Sequence, residues 1–482
     1  MSKSITIMES LGKFAPSKTQ VASKSYNTSA ALTQQSLYIL KALNLPAVLS
    51  FLLLFVLSID TLSLLHYIRA DYIPLADVLA VLFLPFFAAR FRVTPLFTIV
   101  LFLCGYILTH GLIALFIEFV ALGEKIYGPI SFSRQAAALF LGLSLFFVLR
   151  KIFTQVSNQF IAISAMIGAF LPVLVSIFNM IWGITGSALA SKIVKDFRTP
   201  INPRLIIPLR AEGLSLEPST FASYLALIVF PFALILIYQR KTRIMGMGFL
   251  LASAAAFLWT FSTVGFITAF IVVFLGAILG PARRFFVTAL LLFPFLFLGA
   301  ILFFHKSYMS AQFSILSKHQ HDISFTDRFD SFVGPYERVF SSYDLFGYGL
   351  GESATHFKYL VPKKAEKEMA AENWSHLPEL NSLGGRLLAE EGIIGVLLAV
   401  LMIFTALKEV NASLKKEKND SHKFFLYITR IALLATIASY CGEFGSYAVP
   451  YLWFWLAVID SRYIRSIGHT VEVTSFHENN AR

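Results

Sequence analysis

The stretch Arg210-Ala-Glu-Gly-Leu-Ser-Leu-Glu217-Pro218-Ser-Thr-Phe-Ala222 brings a guanidinium and a carboxylate to the start of an apolar run. Pro218 suits the first turn of a helix, where its missing N–H leaves no bond unmade. The free N–H groups of that turn open toward Arg210. Together they offer an anion a two-pronged hydrogen-bond donor and the positive end of a helix dipole. Glu217 stands at the same entry, where it can cap the helix, orient Arg210 or accept a proton; capping and catalysis do not exclude each other.

Other polar groups gather in two long connections, about 184–219 and about 305–386. Connections of that length usually carry function. The first holds Lys192, Lys195, Arg198, Arg204 and Arg210. Such residues either snorkel to lipid headgroups or form an electropositive surface for an anionic ligand, and the second reading is our expectation. The later connection holds Asp327-Arg328, Arg338 and Phe346-Gly347-Tyr348-Gly349-Leu350-Gly351. No strand precedes these glycines, so they read as tight turns or a close backbone approach to a ligand rather than a nucleotide fingerprint. Arg328 and Arg338 can contact an anion or pair with Asp327, Asp330 or Glu337. His376, in Asn373-Trp-Ser-His376, titrates near neutral pH and can act as acid or base. In Asn381-Ser-Leu-Gly-Gly-Arg386-Leu-Leu-Ala-Glu390-Glu391-Gly392-Ile-Ile-Gly395, one of the two glutamates can pair with Arg386 at helical spacing.

The elements that must position these residues are membrane helices. Of 482 residues, 57% are hydrophobic and 14% charged, with mean hydropathy +0.70, too little charge for a soluble domain. The apolar residues fall in continuous runs rather than alternating, which predicts helices and not a barrel. Candidate spans are 46–67, 74–90, 94–121, 131–149, 159–183, 220–238, 244–261, 265–280, 285–304, 387–407, 424–440 and 444–461. Every second connection is short and basic: Arg90 and Arg92; Arg150 and Lys151; Arg240, Lys241 and Arg243; Arg283 and Arg284; Lys408 to Lys423; Arg462 and Arg465. These belong on the cytoplasmic side. The reading is an all-α integral membrane protein with about 12 spans. It has a cytoplasmic tail at 1–45, spans at 46–304 and 387–461, and a second cytoplasmic tail at 462–482. The long connections 184–219 and 305–386 face the periplasm, the larger forming a loop domain between the ninth and tenth spans.

The net charge of +12 is spread over these short loops, which points to membrane orientation and not to nucleic acid. Cys104 and Cys441 lie in apolar runs without metal spacing and read as buried thiols. Asp60, Asp77 and Glu118 lie in or near apolar runs. At mid-bilayer each would cost on the order of 2.5–3.5 kcal/mol, so each must face protein or water. They are the residues a transporter with an acidic relay would use.

On 210–222, on Asp327-Arg328 with Gly347, Gly349 and Gly351, and on Asn381 to Gly395, the chain resembles the O-antigen polymerase and ligase family. These bacterial membrane glycosyltransferases act on lipid-pyrophosphate glycans. The resemblance spans most of the chain and implies a GT-C-like fold in the inner membrane. It implies transfer of a growing glycan from undecaprenyl pyrophosphate to a lipid-linked repeat unit at the periplasmic face, in lipopolysaccharide or related polysaccharide biosynthesis. On this resemblance Arg210 and Arg328 hold the departing pyrophosphate, while Glu217 or His376 takes the acceptor proton. Lys195, Arg198, Arg204, Arg338, Tyr348 and Asn381 line the substrate path. It further implies membrane lipids, a chain-length regulator and a flippase as partners. Two arginines replace a metal, and no cofactor is expected. Ligases of the family place a histidine where this chain has Asn381, with His376 five residues earlier. The departure favours a polymerase; a ligase acting on lipid A core and a lipid-linked oligosaccharide transporter are the alternatives.

Overall fold

The computed structural model describes residues 45–57, 59, 74–87, 92–122, 127–199, 210–215, 217–280, 283–284, 286–292, 295, 323–342, 345–353, 356, 360, 380–442 and 444–479. Among them every regular element is a helix. We number these α1 (Leu45–Val56), α2 (Leu75–Phe87), α3 (Pro95–Ile117, extended by a π turn at Glu118–Leu122), α4 (Tyr127–Phe153), α5 (Asn158–Thr185) and α6 (Ala188–Arg198). There follow α7 (Pro218–Tyr238, with a π turn at Leu225–Val229), α8 (Arg243–Trp259), α9 (Thr263–Leu279), α10 (Ile323–Ser342), α11 (Leu383–Lys416), α12 (Asp420–Gly442) and α13 (Pro450–Asn479).

Six of these helices, α3, α4, α5, α7, α11 and α12, are long and apolar enough to cross a bilayer. By the same measure α1, α2, α8 and α9 are apolar but shorter. That is half of the expected twelve. Each short helix overlaps a candidate span, and the candidate 285–304 falls largely outside the described residues. Large apolar side chains stand exposed on the outer faces, among them Phe102 and Phe116 on α3, Phe270 and Phe274 on α9, and Leu397 and Phe404 on α11. Backbone groups satisfied within helices and apolar side chains turned outward are what hydrocarbon demands.

At the centre lie α7 and α13. From Phe221 to Val229, α7 is buried on every side, the pattern of a helix surrounded by others. The Trp455 indole of α13 donates to the carbonyl of Leu227, inside the π turn, at 3.2 Å. The same indole stacks on Phe232 at 5.4 Å between centroids. α13 also packs on α4, α11 and α12.

One end of the bundle is tied by charge. Arg150 pairs with Asp460, which also accepts from the Thr94 hydroxyl. Glu409 accepts from the N–H of Leu96 at 2.9 Å. Arg465 donates to the carbonyls of Thr154 and Val156, each at 2.8 Å, and Arg462 donates to Val156 at 3.3 Å. Within the expected tail at 462–482, α13 continues as a helix to Asn479, and Arg462 is buried against the α4–α5 corner. Carbonyls left without partners at that corner give both arginines acceptors.

The described part of 305–386 packs against the bundle, α10 lying on α11 and α12. α11 starts at Leu383 rather than 387, because the Ser382 hydroxyl caps it by accepting from Gly385 N–H at 3.0 Å. The helix is broken at Gly392 (φ 61°, ψ −159°), a conformation almost confined to glycine. Into the break fits the segment 345–349. Tyr348 N–H donates to Ala389 at 2.9 Å, Gly349 N–H to Glu390 at 2.7 Å, and Ile394 N–H to Leu345 at 3.1 Å. A Cβ at position 392 would meet Leu345, Phe346 and Gly347 backbone atoms. Gly392→Ala is expected to cost at least ~1–3 kcal/mol, read as a lower melting temperature in detergent and faster proteolysis near 345–353. Gly105→Ala, on α3 with nothing within 4 Å of the new methyl, is the control and should melt like the parent chain.

Candidate functional site

Two polar assemblies occupy the other end, the one bearing the long connections. The first is the corner 198–222. Pro218 opens α7 and Glu217 is its N-cap residue, as the sequence predicts, but the Glu217 side chain makes no capping bond. It stays exposed and accepts from the Ser219 hydroxyl at 3.2 Å. Arg210 is half-buried, donating from Nε to Thr260 at 3.0 Å and from Nη2 to Phe261 at 3.3 Å. Those carbonyls lie at the α8–α9 corner, where Phe261 adopts φ 47°. Behind Arg210, the buried Arg198 pairs with buried Glu212 and donates to the Ser215 carbonyl at 3.4 Å. Burial pushes the Glu212 carboxyl above its ordinary range, opposed by Arg198 and Arg210. It also draws the Arg198 guanidinium down, opposed by Glu212.

The second assembly surrounds the break in α11. Glu390 accepts from the Ser353 hydroxyl at 2.6 Å and from the Tyr447 hydroxyl at 3.3 Å. Arg386 stands one turn before it, with Nε 3.9 Å from the carboxylate. Glu391 meets His110 of α3 at 2.9 Å, and Tyr106 donates to the Glu391 carbonyl at 3.2 Å. The His110 ring lies parallel to Tyr106 at 5.6 Å. Beside this cluster, Glu118, Glu352 and His356 bring one ligand atom each within 4.8 Å of one another.

A run of aromatic rings links the assemblies: Phe221 to Tyr224 at 6.5 Å, Tyr224 to Tyr451 at 6.5 Å, and Tyr451 to Phe444 at 5.6 Å. Next to Phe444, Gly445 abuts the backbone of Leu380 and Asn381. Thus the 210–222 and 381–395 patterns, far apart in sequence, share one end of the bundle.

Among the expected site residues, Arg210, Glu217 and Arg198 come together at the first corner. Lys195 is exposed with its ammonium 5.5 Å from the Trp182 ring, and Arg338 is exposed on α10. Tyr348 stacks on His356 at 4.1 Å, and Asn381 is half-buried beside the N-cap of α11. The backbone of Arg328 lies in α10, while its side chain, Arg204, His376 and Asp60 fall outside the described residues. Arg386 has its expected glutamate partner, Glu390. Sequence reasoning missed Glu212, His110 and His356. For His110 a signal was available, since an ionisable residue inside an apolar run calls for a partner. For Glu212 and His356 nothing local marked the partner.

No protein-family model matches the chain, and no curated protein sequence does. The site is therefore read from its own residues.

Removing Arg198 leaves the buried Glu212 without its hydrogen-bonded counter-charge, with only Arg210 to offset it. Breaking a buried pair in this way typically costs about 3–5 kcal/mol. Replacing both partners by apolar residues (Arg198→Met with Glu212→Leu) should melt higher than Arg198→Met alone. In that single variant burial still holds the folded-state carboxyl above its unfolded value. Its stability is then full below the unfolded value and is lost as pH rises through the folded one. Melting curves should show a larger deficit against the parent chain at pH 8 than at pH 5; an equal deficit would refute the assignment.

Proposed function

We propose that the chain is a surface-polysaccharide polymerase of the bacterial inner membrane, working at the periplasmic face. A hydroxyl of the lipid-linked repeat unit attacks the anomeric carbon of the growing glycan. The bond from that carbon to the pyrophosphate oxygen breaks, and undecaprenyl pyrophosphate leaves with the electron pair. The observation carrying this reading is the corner at 210–222. There an anchored guanidinium and an exposed carboxylate share the mouth of one helix.

Charge on the leaving pyrophosphate grows in the transition state, so fixed cationic donors lower the barrier. Arg210 and Arg328 have that part in this reading. Arg210 is prepositioned by its bonds to the α8–α9 corner, which reduces reorganisation. Glu217 is the base, exposed and free of a capping bond, and His376 is the alternative. Lys195, Arg204, Arg338, Tyr348 and Asn381 flank the lipid-linked glycan, and the arginines do the work of a metal in transfer.

The transporter alternative draws on one observation, the break in α11 beside buried Glu390 and Glu391, since broken helices line transporter sites. Its single occurrence, without a matching break in a second half among the described residues, supports it less than the helix-mouth corner supports transfer.

Purified protein in vesicles, given synthetic lipid-pyrophosphate repeat units with EDTA present, is expected to build a ladder of longer lipid-linked glycans. Glu217→Gln should slow the ladder roughly 10²–10⁴-fold without lowering the melting temperature. Arg210→Lys should slow it by about 10²-fold or more. Transfer only after lipid A core is added would mean a ligase. No transfer with retained movement of the lipid-linked glycan would mean a transporter.

A further inference from the structure

We propose that Glu118, Glu352 and His356 form a binding site for a divalent transition-metal cation that clamps the glycine turn of the second long connection to α3. The three ligands are distinct from the groups given roles in transfer, although Tyr348, which flanks the glycan in that reading, stacks on His356.

The three residues come from two places in the chain. Glu118 begins the π turn that ends α3, and such turns recur at functional sites because they redirect one side chain. Glu352 and His356 follow the glycine turn, with His356 N–H donating to the Glu352 carbonyl at 3.0 Å. One turn of helical spacing puts both side chains on the same side. Their ligand atoms and that of Glu118 lie within 4.8 Å of one another. His356 Nε2 is 3.4 Å from Glu118 Oε1. Two ligands bound at about 2.0–2.1 Å to one tetrahedral ion stand about 3.4 Å apart, so this pair is already spaced for a shared ion.

The support behind these ligands is rigid. Tyr348 stacks on the His356 ring at 4.1 Å and 15°. Ser131 of α4 donates to the Gly351 carbonyl at 2.6 Å, and Glu352 N–H donates to the Gly349 carbonyl at 3.1 Å. Gly351, at φ 87°, lies so close to the backbone of Ser131 and Phe132 that a Cβ has no room. The turn is thus pressed onto α3 and α4.

Charge gives the second line of argument. Glu352 is 1% exposed, and Glu118 brings a second carboxylate into its reach. Carboxylates at this separation repel unless a proton or cation lies between them. A dication matches both charges. One imidazole with two carboxylates favours Zn²⁺ or Mn²⁺ over the all-oxygen preference of Ca²⁺ and Mg²⁺. From the sequence no metal ligands were expected anywhere in the chain, because Glu118 and the pair Glu352 and His356 lie more than 200 residues apart and meet only in the fold. A cation here would fasten a loop.

The test uses the full chain without a polyhistidine tag, stripped with EDTA and titrated with ZnCl2 or MnCl2. One equivalent per chain should be retained, measured by mass spectrometry of the metal and by loss of the free Mn²⁺ resonance signal. The melting temperature should rise saturably with added cation. Glu352→Gln and His356→Asn should each weaken binding by at least about tenfold. Because Glu352 is buried and its substitution can disturb folding, Glu118→Gln serves as the second variant. Glu118 is partly exposed on its turn. Without cation this variant should melt like the parent chain; with cation it should lose most of the rise. A parent chain that retains no cation, or variants that bind as tightly as the parent, would overturn the proposal.

Discussion

A backbone group inside a membrane protein must find its hydrogen bond within the protein, and the break in α11 is where that demand shapes the molecule. At Gly392 the helix abandons its regular bonding, and the carbonyls of Ala389 and Glu390 would otherwise go without partners. The segment 345–349 supplies the donors and returns one acceptor to Ile394. A single interruption therefore draws a connecting segment into the bundle. It fixes where the glycine turn must lie and sets Glu390 and Glu391 side by side with different neighbours.

The two ends of the bundle solve the problem of buried charge differently. At the basic end, Arg150, Asp460, Thr94 and Glu409 tie the ends of α3, α4, α11 and α13 together. Each charge there has a partner from another helix, so the network fixes how the helices stand against one another. At the opposite end, charges gather in connections and helix mouths. Arg198 and Glu212 stiffen the first corner, leaving Arg210 and Glu217 at its surface. A buried pair of that kind adds little net stability but is costly to break, which suits a scaffold whose task is geometry.

The functional reading rests on that division. Arg210 is held by carbonyls of a neighbouring helix corner, which fixes the direction its guanidinium faces. The aromatic path from Phe221 to Phe444 makes the first corner and the start of α11 parts of one packed surface.

Much of this was legible in the sequence. Apolar run length marked most helices, because a segment's transfer into hydrocarbon depends on its own side chains. Pro218 and the start of α7 were readable for the same local reason, as was a glutamate partner for Arg386 one turn later, though the fold decided that it is Glu390 and not Glu391. The alternation of basic connections agrees with a bundle whose basic and loop-bearing ends are opposite. What the tertiary structure alone decided were partners across distance: Glu391 with His110, Arg198 with Glu212, and Glu118 with His356. Helix crossing and register set these meetings, and neither is written in any one segment. The same holds for Gly392, whose glycine was visible but whose break exists because another backbone arrives to satisfy it.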